Sequence, residues 1–135
     1  QAGTLSGNPL AMAAGIETLT LLQAPGIYGD LEDKGQQFMR GFVEAATTAE
    51  VPVQVNRVGS MLTAFFTGTP VIDFDSAKTA DTNRYAIFFQ AMLERGVSLA
   101  PSQFEAAFIS TTHTAEDLRM TAAAARDALR IVAAA

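Results

Sequence analysis

No cysteine occurs in the 135 residues, and His113 is the only histidine. Disulfides, thiol nucleophiles and thiolate metal sites are therefore excluded, as is a histidine cluster around a metal. The lack of thiols is compatible with a reducing cytoplasm, which is the expected location. Positive charge is scarce as well: nine Lys and Arg stand against 14 Asp and Glu, giving a net charge of −5. The basic residues are scattered rather than gathered in a stripe, which disfavours nucleic acid as a partner. Apolar stretches are broken by Thr, Gly, Glu or Gln well before the ~18 residues that a membrane span requires, so no membrane partner is expected. No basic segment followed by an apolar run marks a secretory signal.

What is present is apolar: 49% of the residues are hydrophobic, enough at this length for one core. The chain opens on Gln1 rather than Met and runs at once into a motif, so it is expected to be one domain of a longer protein. Residues 10–22 are apolar nearly all round, with Glu17 the sole charge, which predicts a helix buried over most of its surface, part of it against something outside these residues. Gln23-Ala24-Pro25-Gly26 stops it. In the next segment Ile27, Leu31, Phe38, Phe42 and Ala45 or Ala46 recur near multiples of 3.6, predicting a second helix whose charged side faces solvent.

Val53 and Val55 alternate with Gln54 and Asn56, as in a half-buried strand. The short connection Arg57-Val58-Gly59-Ser60 then favours an antiparallel hairpin with a strand over 61–67, apolar on both faces and so central in its sheet. Residues 71–80 lack a period and read as a loop. A third helix is predicted from Asp81 or Thr82 to Arg95, with Tyr85, Phe88, Phe89, Met92 and Leu93 inward and Gly96 as its stop. Short strands are expected at 97–99 and 108–110. Thr114 and Asp117 suggest a capping box for a last helix that turns Leu118, Ala122, Ala125, Leu129 and Val132 inward. Helices on one face of a small, largely antiparallel sheet make an α+β two-layer sandwich.

Two stretches carry candidate chemistry. In Gly3-Thr4-Leu5-Ser6-Gly7-Asn8-Pro9, glycines free the backbone, two hydroxyls can reach an anion, and Asn8 and Pro9 start a helix. Such a turn can hold phosphate, although from composition alone it reads as a capped turn. In the stretch of residues 96–106, Glu105 sits in a loop between Phe104 and Ala106, where a carboxylate either serves a site or lies on the surface. His113 reads as an ordinary loop residue. Asp73, Asp75 and Asp81 lack the spacing of a calcium loop, so no metal is expected.

Residues 3–15 resemble the loop and helix that follow the catalytic-lysine region in class III pyridoxal-phosphate aminotransferases. Leu5-Ser6 stands where that class commonly has Phe-Gly, and together with residues 96–106 it points within the class to the glutamate-1-semialdehyde 2,1-aminomutase family. Gly59-Ser60-Met61 and the Phe88–Leu93 segment fall in the expected order. The resemblance covers nearly the whole chain. It implies the C-terminal small domain of a fold-type I enzyme, with residues 1–25 linking it to a large domain that binds pyridoxal or pyridoxamine phosphate.

The implied reaction converts glutamate-1-semialdehyde to 5-aminolevulinate for tetrapyrrole synthesis, by two transaminations at one cofactor, in a homodimer. By resemblance Thr4 contacts the phosphate of the neighbouring subunit's cofactor, and Glu105 faces the amino groups of a small amino-aldehyde substrate. Ala107 departs from the family's usual glycine and lowers backbone freedom there. The only lysines are Lys34 and Lys78, and neither setting resembles that of a Schiff-base lysine. By resemblance that lysine lies before residue 1, so the 135 residues alone are expected to be inactive. The alternatives are a class III aminotransferase acting between two substrates and a non-catalytic assembly domain.

Overall fold

A computed structural model describes residues 3–135. Its elements run α1 (Pro9–Leu22), α2 (Ile27–Thr48), β1 (Gln54–Val58), β2 (Met61–Phe65), α3 (Phe74–Ala77), α4 (Thr82–Glu94), β3 (Ala107–Phe108) and α5 (Ala115–Ala134). The sheet is antiparallel in the order β1-β2-β3, with the apolar strand β2 in the centre as its pattern predicts. Val55 lies opposite Ala64 and Arg57 opposite Leu62, so Gly59 and Ser60 form a two-residue turn. Gly59 there has φ +59°, the left-handed conformation that such turns take up most readily with glycine.

α5 packs against both α2 and α4, and α2 lies on β1 and β2. Ala125 and Ala128 are fully buried, and their small side chains let α5 sit closely between its neighbours. The main core gathers Phe42 from α2, Phe66 after β2, Phe88 and Met92 from α4, and Leu129 and Val132 from α5. On the other side of the sheet Phe65 packs with Val71, Ala77 and Ala80.

Helix ends follow local chemistry. Asn8 Oδ1 accepts from the Leu10 and Ala11 N–H groups at 3.0 and 3.3 Å, with Pro9 in the first turn. The capping box of Thr114 and Asp117 is formed. α4 ends with Gly96 at φ +79° and Val97 N donating to Met92 O at 3.0 Å. α2 ends in the same way, except that Glu50 takes the left-handed position at φ +55°. Val51 N then donates to Ala46 O at 3.0 Å, and both of these residues are buried.

Five expectations are corrected. α1 is a helix but buries none of its residues; Leu10, Met12, Ile16 and Leu19 are all exposed, because an apolar composition can bury a face only where another element covers it. Residues 71–80 contain the short helix α3, formed because Asp73 and Ser76 make a capping box. Residues 97–99 form no strand, and the strand expected at 108–110 is the two-residue β3, paired at Met61 and Leu62. Leu93 is exposed while Ala91 is buried, so the inner face of α4 is turned by about half a position from the expected stripe.

The charged side of α2 is also not purely solvated. Glu32 pairs with Arg57 at 2.5 Å, and Lys34 joins Asp30 at 2.8 Å and the Thr111 carbonyl at 3.1 Å. These contacts fasten α2 to β1 and to the loop before α5.

The hairpin turn approaches α2 so closely that a Cβ on Gly35 would lie 2.5 Å from Gly59 O and 3.3 Å from Ser60 Cα. Both obstacles are backbone, so they yield only if the sheet moves. Gly35→Ala is expected to destabilise the fold by about 1–3 kcal/mol, as overpacking does. Gly29→Ala, in the same helix with open space at its Cβ, is expected to be neutral or to stabilise by up to about 1 kcal/mol. Denaturant unfolding of the pair checks this; equal midpoints would show that the turn does not press on Gly35.

Candidate functional site

The second candidate stretch forms a loop over residues 100–105 that is tied at several points. Its first tie is to α4, where the Tyr85 hydroxyl donates to Ala100 O at 2.5 Å. The middle is held by Gln103, which is buried. Its Oε1 accepts from Phe66 N at 3.4 Å and its Nε2 donates to Ala80 O at 3.5 Å. At the far end Thr63 Oγ1 donates to Glu105 O at 3.3 Å, and Glu105 N donates to Ser102 O at 3.3 Å. The Glu105 side chain itself is exposed.

Glu105 stands at the edge of a narrow cavity of about 50 Å³ whose apolar walls include Phe42, Phe88, Met92 and Leu99. A neighbouring space of about 300 Å³ is lined by Phe38, Leu62, Ser98, Ala106, His113 and Leu118. Sites that enclose a small ligand usually measure ~300–1,000 Å³, so the cavity beside Glu105 is too small to enclose a substrate without further walls. What the loop supplies is one carboxylate, presented outward on a fixed backbone. Ala107 lies in β3 opposite Leu62, in extended backbone that does not need glycine, so the departure from the family pattern is accommodated.

Thr4 lies in the exposed turn that leads into α1. Ser6 is engaged within that turn, with Oγ donating to Gly3 O at 2.8 Å. Asn8 already caps the first N–H groups of the helix. The turn therefore fits a single phosphate contact through the Thr4 hydroxyl rather than a complete phosphate cradle. Lys34 is held by Asp30 and Thr111, while Lys78 pairs with Asp75 at 2.9 Å and lies 5.0 Å from the Phe74 ring centroid. Thr4 and Glu105 are carried by separate elements, one ahead of the unburied α1 and one against β2 and α4.

The remaining candidates have structural employment. Asp73 and Asp81 are helix N-caps, and Asp75 is the partner of Lys78. His113 Nδ1 accepts from Ser110 N at 3.0 Å, closing the loop before α5. Sequence reasoning missed Thr63, Tyr85 and Gln103 as parts of the Glu105 loop. Tyr85 reads from its spacing as a core aromatic, which its ring is; only its hydroxyl has the second task.

Burial, and to a lesser degree the charge of Glu105, raise the Tyr85 pKa above its ordinary value of 10.0. The folded protein thus keeps this proton where the unfolded chain loses it. The associated stability is intact below pH ~10 and is lost as pH rises through the folded pKa. With Tyr28 replaced by Phe, tyrosinate absorbance is expected to show Tyr85 ionising at lower pH in Glu105→Gln than with Glu105 present. An unchanged titration would mean that the carboxylate does not face the ring.

No protein-family model matches the chain. Its fold matches solved transaminases. An omega-transaminase from Sphaerobacter thermophilus, 24% identical, superposes with a TM-score of 0.81 over 98% of this chain and 30% of that one. A glutamate-1-semialdehyde-aminomutase from Pseudomonas aeruginosa PAO1, solved in complex with PMP, is 25% identical with a TM-score of 0.82, over 95% of this chain and 28% of that one. The class is thus that of the fold-type I transaminases.

A glutamate-1-semialdehyde 2,1-aminomutase from Heliobacterium modesticaldum is 59% identical over 134 residues, covering 99% of this chain and 31% of that protein. The chain belongs to the glutamate-1-semialdehyde 2,1-aminomutase family, whose members it matches in their C-terminal portion. It spans about a third of the length of the curated relatives it matches.

Proposed function

We propose that these residues are the C-terminal domain of an enzyme that isomerises glutamate-1-semialdehyde to 5-aminolevulinate with pyridoxal or pyridoxamine phosphate, as a homodimer in the cytoplasm. The observation that carries the reading is the 59% identity to an aminomutase across 99% of the chain. The bound cofactor supplies an electron sink for proton removal beside an amino-bearing carbon.

This chain's own contribution is positional and electrostatic. Thr4 holds a phosphate oxygen of the cofactor in the partner subunit by one hydrogen bond. Glu105 orients the ammonium groups of the substrate, its carboxylate fixed by the pinned loop. A preorganised charge of this kind acts without the reorganisation that water would need. With both lysines engaged in surface contacts, the covalent anchor belongs to the large domain, and the 135 residues alone are inactive. The apolar surface of α1 packs against that large domain or the partner subunit, and residues 1–25 form the link.

In the whole enzyme two substitutions separate the roles. Thr4→Val keeps the branched shape and removes one charge-assisted hydrogen bond, so cofactor affinity is expected to fall about tenfold or more with the fold intact. Glu105→Gln keeps the shape and removes the charge, and turnover from glutamate-1-semialdehyde is expected to fall about tenfold to a hundredfold with little change in melting temperature. Cofactor titration and steady-state kinetics provide the readings. Unaltered affinity would make Thr4 a turn residue only, and unaltered turnover would remove Glu105 from the site.

A further inference from the structure

We infer that Gln103 and Thr63 act as positioning residues for Glu105, an inference that rests on the reading of Glu105 as the carboxylate facing the substrate. Glu105 is exposed and lies beyond the last turn of any helix, so its placement depends wholly on how the loop backbone is held. Among the described residues Gln103 is the one buried polar side chain, 2% exposed in an otherwise apolar interior. An apolar side chain of similar size would fill that space without placing an amide out of water. An amide there specifies direction, because it is satisfied only when a donor and an acceptor stand at the right places.

Those places are set by two segments distant in sequence. Phe66 N–H, just past β2, meets Oε1, and Ala80 C=O, just before α4, meets Nε2. The same two segments are joined directly, since Asp81 N donates to Phe66 O at 2.9 Å. Gln103 therefore inserts into a junction that is already rigid. Three residues earlier along β2, Thr63 reaches Glu105 O. β2 and its continuation thus hold the loop twice, Phe66 at Gln103 and Thr63 at Glu105, with the two segments running in opposite directions. Two anchors on either side of residue 104 fix both the height and the rotation of the Glu105 backbone over the cavity. One anchor would leave it free to swing.

A double-substitution cycle in the full-length enzyme tests the inference. Gln103→Met removes both amide contacts at nearly constant volume, and Thr63→Val removes the other anchor with little risk to the fold. Each is made with Glu105 present and in the Glu105→Gln background, and kcat/KM is measured together with thermal unfolding. With Glu105 present, kcat/KM is expected to fall about tenfold for Gln103→Met and about threefold for Thr63→Val, mainly through kcat; in the Glu105→Gln background both losses are expected to shrink to less than about twofold, while the shifts in melting temperature stay the same in both backgrounds.

Equal losses in the two backgrounds would show that Gln103 and Thr63 serve the fold alone and would overturn the inference, leaving the role of Glu105 intact. A Glu105→Gln enzyme with wild-type kcat/KM would overturn the reading of Glu105 and the inference with it. If Gln103→Met does not fold, the comparison of Thr63→Val in the two backgrounds decides the matter in the same way, because that substitution lies outside the buried junction.

Discussion

The contact on which the structure depends is the meeting of aromatic rings around Phe88. The ring of Phe42 from α2 stands edge-on to it at 5.5 Å with an interplanar angle of 90°, and Phe66 lies 5.4 Å away. Tyr85 touches both Phe66 and Phe88, at 6.0 and 6.4 Å. Four rings thereby join α2, the end of β2 and α4. Such pairs contribute ~0.5–1.5 kcal/mol each beyond the area they bury. Because Phe88 and Met92 are almost wholly enclosed, truncation of either would open a cavity between α2, α4 and α5.

The same cluster reaches the candidate site. Tyr85 has its ring in the core and its hydroxyl on Ala100, while Phe66 belongs to the core through its side chain and to the Gln103 junction through its backbone. The loop bearing Glu105 is thus an outgrowth of the core, which explains how a short loop over a small sheet can hold a charge in place. α1 is the contrary case. Its apolar residues take no part in the core.

Much of this could be read from the sequence where one local rule acted alone. Asn8-Pro9, Thr114 with Asp117, and Gly96 each specify a helix end through contacts within a few residues, and the hairpin around Gly59 follows from alternation and a short turn. Reading failed where a distant partner decides. The segment 97–99 has the composition of a strand but pairs with no strand, and the residues of α1 signal burial that no element here provides. Ser76 was indistinguishable from a loop serine, although its contact with Asp73 makes a helix. Of the candidate site residues, Thr4 and Glu105 were named through family resemblance alone, since their local surroundings favour a capped turn and a surface carboxylate. Gln103 was not, because nothing nearby in sequence distinguishes a buried amide from a solvated one; its partners lie 37 and 23 residues away.

The central proposal is that this chain supplies the C-terminal part of an aminomutase site. Its most direct test is a chimera in which these residues replace the matching C-terminal portion of the Heliobacterium modesticaldum relative, with 5-aminolevulinate measured from glutamate-1-semialdehyde and no added amino donor. The expected result is steady formation of 5-aminolevulinate by a folded, cofactor-loaded chimera. A chimera equally folded and loaded that forms none, or that transfers amino groups only between two separate substrates, would contradict the claim.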